Sequence, residues 1–150
     1  MIPLTNGGEA LCDVADVEFL RRFRWRATQI HKRTYATTTI NGRTTYMHRL
    51  LMPEALEVDH QNRDGLDNRR ENLRPCTHAQ NMANAEFPRG ASGYRGVRVM
   101  RSRWQARLKV SGKVRYLGVY DTPEEAARAY DVAAFDAFGE FAAQNFPYQE

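Results

Sequence analysis

The sequence predicts an α+β fold divided into two small domains, and three patterns support this prediction. Near residue 40, two runs rich in Thr and Tyr flank Asn41-Gly42, the strongest short-range signal for a β-hairpin. Between residues 94 and 120, three β-rich segments precede an Ala-rich helical pattern. Between these halves, Pro, Gly and Ser at residues 86–93 interrupt all periodicity. A chain of 150 residues has room for two small domains joined there.

The middle of the first half predicts a strand pair followed by a helix. Residues 58–60 and 72–74 are short β-type runs separated by a loop rich in Asn, Asp and Gly. Thr77, followed three residues later by Gln80, has the form of a capping box and predicts a helix over residues 78–84. The order of elements is therefore strand, strand, helix.

The second half predicts a three-stranded antiparallel sheet packed on one helix. Residues of β-type periodicity form its three strands, predicted at 94–99, 104–110 and 114–120. The run Thr122-Pro123-Glu124-Glu125 is a second capping box, with Pro at the first helical position, and Gly139 is the expected helix end. Small Ala side chains along this helix favour close packing on the sheet.

Composition limits the class of protein. The chain is 42% hydrophobic, enough to bury a core, and has no apolar run approaching the roughly 18 residues of a membrane-spanning helix. Its first residues lack the basic and apolar regions of a secretory signal. Two widely spaced cysteines, Cys12 and Cys76, form no disulfide framework. We therefore expect a cytoplasmic protein with access to DNA and no membrane partner.

Charge is unevenly distributed along the second half. Residues 93–116 contain eight basic side chains and no acidic one, although the net charge of the chain is only +4. Surfaces normally mix both signs, so a block of this kind indicates a polyanionic partner. Double-stranded DNA is the predicted partner, and a membrane surface fits less well because the block is not an amphipathic helix.

The strand pair and helix of the first half bring together residues suited to metal-assisted phosphodiester hydrolysis. Asp59 and the amide oxygen of Asn81 are hard ligands for Mg²⁺ or Mn²⁺. His60 is the side chain able to take a proton from the attacking water near neutral pH. Asn72 is placed to orient the imidazole, and His78, one helical turn before Asn81, is an alternative metal ligand.

These residues carry a resemblance to a known family. The runs Val58-Asp59-His60, Asn68–Arg74 and Thr77–Asn81 resemble HNH endonucleases of the phage and intron homing type, and His48-Arg49-Leu50 is similar as well. The resemblance implies a ββα-metal finger, which lies in a nuclease module predicted at residues 1–88 with an N-terminal β-hairpin region. It assigns the general base to His60, the metal carboxylate to Asp59, the middle Asn to Asn72 and the helix ligand to Asn81. His48 itself fits a packed structural histidine better than a ligand.

The second half resembles another family. In the strand at 104–110, Gln105, Arg107 and Lys109 alternate with an apolar set, which gives the sheet one basic face suited to a major groove. The runs 93–98, 116–118, 122–131 and 145–147, with Trp104, strongly resemble the plant ethylene-response-factor (APETALA-two type) DNA-binding domain.

The candidate DNA-binding residues are Arg95, Arg98, Arg101, Arg103, Trp104, Arg107, Lys109, Arg115 and Tyr116. The resemblance makes Arg95 and Arg98 the base-contacting arginines. A first turn one residue shorter than the plant form, and Tyr116 in place of the usual Trp, argue against transfer of the plant target sequence.

The sequence thus predicts a metal-dependent DNA endonuclease with the nuclease module at 1–88, a linker at 89–92 and a sheet-type DNA-binding domain at 93–147. One active site per chain predicts nicking by a monomer, or a double-strand cut by a homodimer. The alternative is a non-catalytic DNA-binding regulator with a vestigial nuclease fold. An RNA-binding protein fits less well, since the chain lacks the aromatic signature of RNP motifs.

Overall fold

The computed structural model describes residues 1–85 and 90–146 and groups them into two units, Met1–Thr77 and His78–Glu150. The mixed α+β class is confirmed. Phe87 and Pro88 of the predicted interdomain break, and the predicted domain end at Pro147, lie outside the described residues. The division falls between Thr77 and His78, ahead of the predicted linker at 89–92, and that linker stays a prediction. Within the described ranges, no helix is long and apolar enough to cross a membrane.

The first unit is built from short strands around one apolar core. Its elements in chain order are β1 (Ile2–Pro3), β2 (Glu9–Ala10), a 3₁₀ turn (Val14–Asp16), α1 (Val17–Leu20), β3 (Arg26–Ile30), β4 (Arg33–Ile40), β5 (Arg43–Tyr46), α2 (Met47–Leu51), β6 (Glu57–His60) and β7 (Leu73–Cys76). The core is centred on Leu20, Trp25 and Met47, all essentially inaccessible to solvent. The indole Nε1 of Trp25 donates to the Leu20 carbonyl at 2.8 Å, so even the polar atom of this core ring has a partner.

The predicted hairpin is confirmed as β4 and β5. Asn41 and Gly42 have φ values of 50° and 75°, the two positive angles that a type I′ turn requires. β4 also pairs with β3 on its other side, giving a sheet ordered β3-β4-β5. The face bearing Ala36 packs into the core, and the opposite face bears Tyr35 and Tyr46.

The strand pair β6–β7 is antiparallel, with Asp59 opposite Arg74 and His60 opposite Leu73. The long loop between the strands is fastened to the N-terminal segment. The backbone of Leu11 bonds to the loop on both sides, at 2.8 Å each to the Leu66 carbonyl and the Asn68 amide. Arg70 adds a bidentate ion pair with the buried Asp16, at 3.0 and 2.7 Å. The loop is thus part of the folded unit, although turn-forming residues dominate its sequence.

The second unit contains α3 (His78–Asn84), β8 (Val97–Met100), β9 (Arg103–Val110), β10 (Lys113–Tyr120), α4 (Pro123–Phe138) and a 3₁₀ turn (Gly139–Phe141). The predicted antiparallel sheet, ordered β10-β9-β8, and the helix packed on it are confirmed. The capping box of α4 is present in both directions: Thr122 accepts from the Glu125 amide, and the Glu125 carboxylate accepts from the Thr122 amide. α3 has the predicted bounds.

Close packing of helix on sheet depends on small residues. Ala106 on β9 and Ala126 and Ala127 on α4 are fully buried against each other's elements. Gly96 lies where its backbone has a φ of 74°, and a Cβ there would stand 2.0 Å from the ring of Tyr130. No side chain fits at this position without moving that ring or the Arg107 carbonyl, 2.8 Å away.

The ends of the three-stranded module are joined by side chains. The buried carboxylate of Asp131 accepts from the backbone amides of Asn145 and Phe146, each at 2.8 Å. Asn145 in turn accepts from the Arg95 amide at 2.6 Å and donates to the Arg95 carbonyl at 3.1 Å. The last described segment is therefore held against the turn that precedes β8.

Candidate nuclease site and candidate DNA interface

His60 lies at the end of β6 in a pocket lined by aromatic rings. The residue is 97% buried, and its ring contacts the ring of His48 edge-on at a centroid distance of 4.9 Å, with Tyr35 at 5.9 Å. Burial lowers the pKa of His60, and the cation of Arg33 adds to this effect against the opposing influence of Asn68 and Asp59. The imidazole is therefore neutral at pH 7, which is the form able to accept a proton.

The amide that faces the His60 ring belongs to Asn68. Its Oδ1 lies 3.5 Å from His60 Nε2, and Asn68 is completely buried. An amide oxygen can only accept, so this contact favours the tautomer with the hydrogen on Nε2. In the sequence, Asn68 was identified only as part of the HNH-like motif.

Asn72, which was predicted to orient the imidazole, braces the loop in this structure. Its Oδ1 accepts from the Asn62 amide at 2.9 Å, and its Nδ2 donates to the Asp67 carbonyl at 2.7 Å. The Asp67 carboxylate bonds to Arg69 and to the Asn62 side chain, and the first of these contacts dominates in lowering its pKa. In the sequence, the many Asn and Asp residues of this loop predict turns. They do not predict which group each side chain bonds to.

Asp59 leaves β6 on the side opposite to His60, because consecutive strand residues alternate in direction. Its carboxylate is fully buried, and Oδ2 accepts from Nε and Nη2 of Arg74 at 2.9 and 2.8 Å. The two residues are direct neighbours in the strand register. The charge of Asp59 is thus neutralised within the unit.

The predicted metal-binding residues have donor atoms of the type that a hard divalent cation prefers. Among the described residues, no group of three or more His, Cys, Asp or Glu side chains is placed to hold a metal ion. Asp59 has carboxylate oxygens and Asn81 has an amide oxygen, and they lie in different units. Mg²⁺ commonly binds through one or two protein oxygens and keeps water or substrate phosphate for the rest. His78 and Asn81 both lie on α3, three residues apart, in the second unit.

His48 is buried as predicted for a packed histidine, and it also forms the wall of the His60 pocket. Only 8% of its surface is exposed, and its Nδ1 has no hydrogen-bond partner within the part of the chain that the structure describes. Burial and the nearby His60 lower the pKa of His48 to about 3. Two neutral imidazoles therefore stand side by side.

The outward face of the C-terminal sheet carries part of the predicted DNA-binding set. Register and exposure place on this face Arg98, Arg103, Arg107, Lys109 and Tyr116. Arg98 Nε donates to the Gln105 side chain at 2.8 Å, and Arg103 pairs with Asp121 at 2.8 Å. Arg107 and Lys109 are exposed and form no ion pair within residues 1–85 and 90–146, so the centre of the face is cationic and accessible.

The remaining predicted DNA-binding residues lie elsewhere in the module. Trp104 is on the helix side of β9, packed against the apolar core, and Arg115 pairs in register with the buried Leu108 on that same side. Arg101 occupies the turn between β8 and β9, with a φ of 57°. These positions follow from the two-residue alternation of the strands.

Arg95 has a different setting from the one the resemblance implied. It precedes β8, and its guanidinium donates to the carbonyls of Ala85, at 2.8 Å, and Met82, at 3.3 Å, in and just after the last turn of α3. A second bond ties α3 to the module, from the Ala143 amide to the Ala83 carbonyl at 3.3 Å. In this structure Arg95 therefore caps the carboxyl end of α3.

Comparison with known proteins finds two separate likenesses in this chain. A family model described as HNH endonuclease matches residues 46–83, a range that includes β6, β7 and most of α3. The AP2-like ethylene-responsive transcription factor CRL5 of Oryza sativa subsp. japonica is 56% identical over 64 residues, which is 40% of this chain and 10% of the relative. The AP2-like ethylene-responsive transcription factor ANT of Arabidopsis thaliana is 55% identical over 64 residues, 40% of this chain and 12% of the relative.

Fold and comparisons define a fusion protein of α+β class. An HNH endonuclease-type region precedes an AP2-type region, as the sequence predicted. The chain spans only about a tenth of the length of the curated relatives it matches.

Proposed function

We propose that the protein is a metal-dependent HNH DNA endonuclease of the homing type, directed to DNA by its C-terminal sheet. The observation that carries this proposal is the buried His60 within the HNH-matched range, whose pKa burial lowers, with the Asn68 amide oxygen facing its Nε2 and a carboxylate next to it in sequence. The exposed cations Arg107 and Lys109 support the choice of DNA as substrate, as does the likeness to named transcription factors.

The reaction is hydrolysis of a phosphodiester. Nδ1 of His60 takes a proton from a water molecule as the water oxygen attacks phosphorus, and the bond from phosphorus to the 3′ oxygen breaks. The products are a 5′-phosphate and a 3′-hydroxyl, the latter completed by a proton from solvent. Asp59 and Asn81, with His78 as the alternative, would hold Mg²⁺ or Mn²⁺, which supplies Lewis-acid stabilisation of charge on the phosphate and the departing oxygen.

The packed surroundings of His60 have a defined part in this step. The rings of His48 and Tyr35 exclude water from one side of the imidazole and hold its plane. The Asn68 amide oxygen faces Nε2 and can only accept, which favours Nδ1 as the base. With one such site per chain, we propose that a monomer nicks one strand and that a double-strand cut needs two chains.

The proposal is tested with purified full-length protein on supercoiled plasmid DNA in Mg²⁺ or Mn²⁺, with EDTA as a control. We expect conversion to nicked circles, lost in EDTA and lost by at least a hundredfold in His60→Ala. The matched control is His31→Ala, which removes an exposed histidine from a turn far from β6 in sequence. Equal activity of the His60→Ala and parent proteins would refute the role of His60.

One observation favours a second candidate, a DNA-binding regulator without nuclease activity. The carboxylate of Asp59 is already paired with Arg74, and the relatives of the C-terminal part are named transcription factors. Tight duplex binding without cleavage in any divalent metal would support this candidate. A preference for duplex DNA over duplex RNA in a competition titration is expected under both.

A further inference from the structure

The first unit contains a longer cationic stretch than the one that pointed to the C-terminal sheet. Between Glu18 and Glu54 the chain has no acidic residue over 35 positions, Phe19 to Pro53. The stretch holds eight basic residues: Arg21, Arg22, Arg24, Arg26, Lys32, Arg33, Arg43 and Arg49. All of them except Arg49 lie outside the HNH-matched range, and none belongs to the C-terminal sheet.

Some of these cations support the fold. The guanidinium of Arg49 donates to the carbonyls of Ala55 and Leu56 at 3.0 and 2.6 Å. By contrast, Arg26, Lys32 and Arg43 are exposed and form no ion pair within the described residues. Unpaired, solvated cations of one sign on one sheet favour an anionic partner.

Strand register shows which of these cations adjoin the candidate nuclease site. Arg26 is opposite Thr37, which is opposite Tyr46, so all three share one face of the sheet β3-β4-β5. Arg33 and Tyr35 lie on the same face, two residues apart on β4. The rings on this face reach the site directly, with Tyr35 at 5.9 Å from His60 and Tyr46 at 5.3 Å from His48.

The dimensions suit a nucleic-acid backbone. β3 has five residues, a length of about 16 Å at ~3.3 Å per residue. Arg26 begins β3, and Lys32 lies in the turn that follows it. Since phosphates of one DNA strand follow each other at about 3.4 Å of rise, cations at the two ends of β3 would bracket several consecutive phosphates.

We propose that the strand β3, with the exposed cations Arg26 and Lys32 at its two ends, is a second DNA-binding surface that contacts the phosphate backbone beside the bond cut at His60. This surface is separate from the C-terminal sheet. Its position beside the cut rests on the proposed function of His60. Its affinity for DNA does not.

The test measures binding of a fluorescent 40-base-pair duplex of arbitrary sequence by anisotropy, between 50 and 300 mM salt and in EDTA. Full-length His60→Ala protein is compared with the same protein carrying Arg26→Gln and Lys32→Gln. Each lost phosphate contact lowers the magnitude of the slope of log affinity against log salt by about 0.9, so the expected decrease is about 2. No target sequence is needed, because non-specific binding is almost wholly electrostatic.

Three controls separate this surface from a general loss of charge or fold. Arg26→Lys keeps the cation and should keep the parent slope. Arg128→Gln removes an exposed cation from α4, where the guanidinium stacks over Phe146, and should change the slope by less than about 0.3. Thermal unfolding by circular dichroism confirms that each variant is folded.

If the double variant keeps the parent affinity and the parent slope of log affinity against log salt, the proposed DNA-binding surface is refuted, whatever the plasmid assay shows. A slope reduced by about 2 supports it even if the plasmid is never nicked, in which case only the proposed nuclease function fails. With an active nuclease, the Arg26→Gln and Lys32→Gln changes in the parent protein should also lower the nicking rate at limiting protein by tenfold or more.

Discussion

The loop between β6 and β7 and the outward face of the C-terminal sheet use polar residues in opposite ways. In the loop, Asn68, Asn72 and Asp67 are buried, and each side chain is bonded to a neighbour. On the sheet, Arg107 and Lys109 stand in solvent. A buried polar group without a partner carries a desolvation penalty, so the loop residues support the fold and the site together. The exposed cations are independent of the fold. Substitutions on the sheet face should therefore change DNA binding without changing the free energy of unfolding. Substitutions in the loop should change both stability and function.

The largest expected effect is at the buried ion pair. Arg74→Ala leaves the fully buried carboxylate of Asp59 without its guanidinium partner, and we expect the free energy of unfolding to fall by roughly 3–5 kcal/mol. Urea denaturation of the variant and parent proteins measures this. A loss below about 1 kcal/mol would show that Asp59 is supported by other groups, and would weaken the contrast with the sheet.

A second effect tests the close approach of helix and sheet in the C-terminal module. Gly96→Ala places a Cβ against the Tyr130 ring at a position of positive φ, and we expect a loss of about 2–3 kcal/mol in unfolding free energy. The matched control is Gly112→Ala, a glycine with a similar φ of 79° and open space around it. A similar loss in both variants would attribute the effect to backbone conformation alone.

The third prediction concerns pH. Because the pKa of His48 is about 3 in the folded protein and 6.5 is its ordinary value, the unfolded chain binds the extra proton first as pH falls. Stability is therefore complete above pH 6.5 and decreases by up to ~1.4 kcal/mol per pH unit below it. His60, whose pKa is also lowered by burial, acts in the same direction.

Urea titrations at pH 7.0 and 5.0 on the parent protein and on His48→Phe measure this dependence. The aromatic replacement keeps a packed ring beside His60 but cannot take up a proton. We expect a weaker loss of stability on acidification in the variant. An identical pH dependence in both proteins would mean that His48 is not the group responsible.

The smallest effect on stability is expected on the sheet face, where Arg107 can be compared with Arg95. Arg107→Gln should change the unfolding free energy by less than about 0.5 kcal/mol, yet lower the salt slope of DNA binding by about 0.9. Arg95→Gln should cost about 1–2 kcal/mol, since it removes two charged hydrogen bonds to the end of α3. If Arg95→Gln instead leaves stability intact and lowers only DNA affinity, Arg95 is a DNA contact, as the resemblance implies.

Local patterns in the sequence predicted the elements well where one residue type determines the backbone. Asn41-Gly42 specified its turn, and the capping box at Thr122 specified the start of α4. The sequence did not predict β3, because its residues, Arg26–Ile30, mix charged, small and polar side chains. This segment is a strand because it pairs with β4. Pairing between distant strands is not encoded in local periodicity.

The candidate site was predicted by residue type better than by contact. His60 and Asp59 were found from their chemistry, but the direction of each side chain was not. Asn68 and Asn72 are four residues apart in a loop without periodicity, so nothing in the sequence told which amide faces the imidazole. On β9, the two-residue alternation of the sequence did carry that information, since it puts Trp104 on the side away from Arg107.

The bonds from Asn145 to Asp131 and to the backbone of Arg95 have a consequence for how such a chain arises. They hold the beginning and the end of the β8–α4 segment side by side, so the segment closes upon itself. A segment with adjacent ends can be spliced into a new gene without forcing apart the flanking polypeptide. This geometry suits the segment to travel by recombination as a cassette between otherwise unrelated proteins.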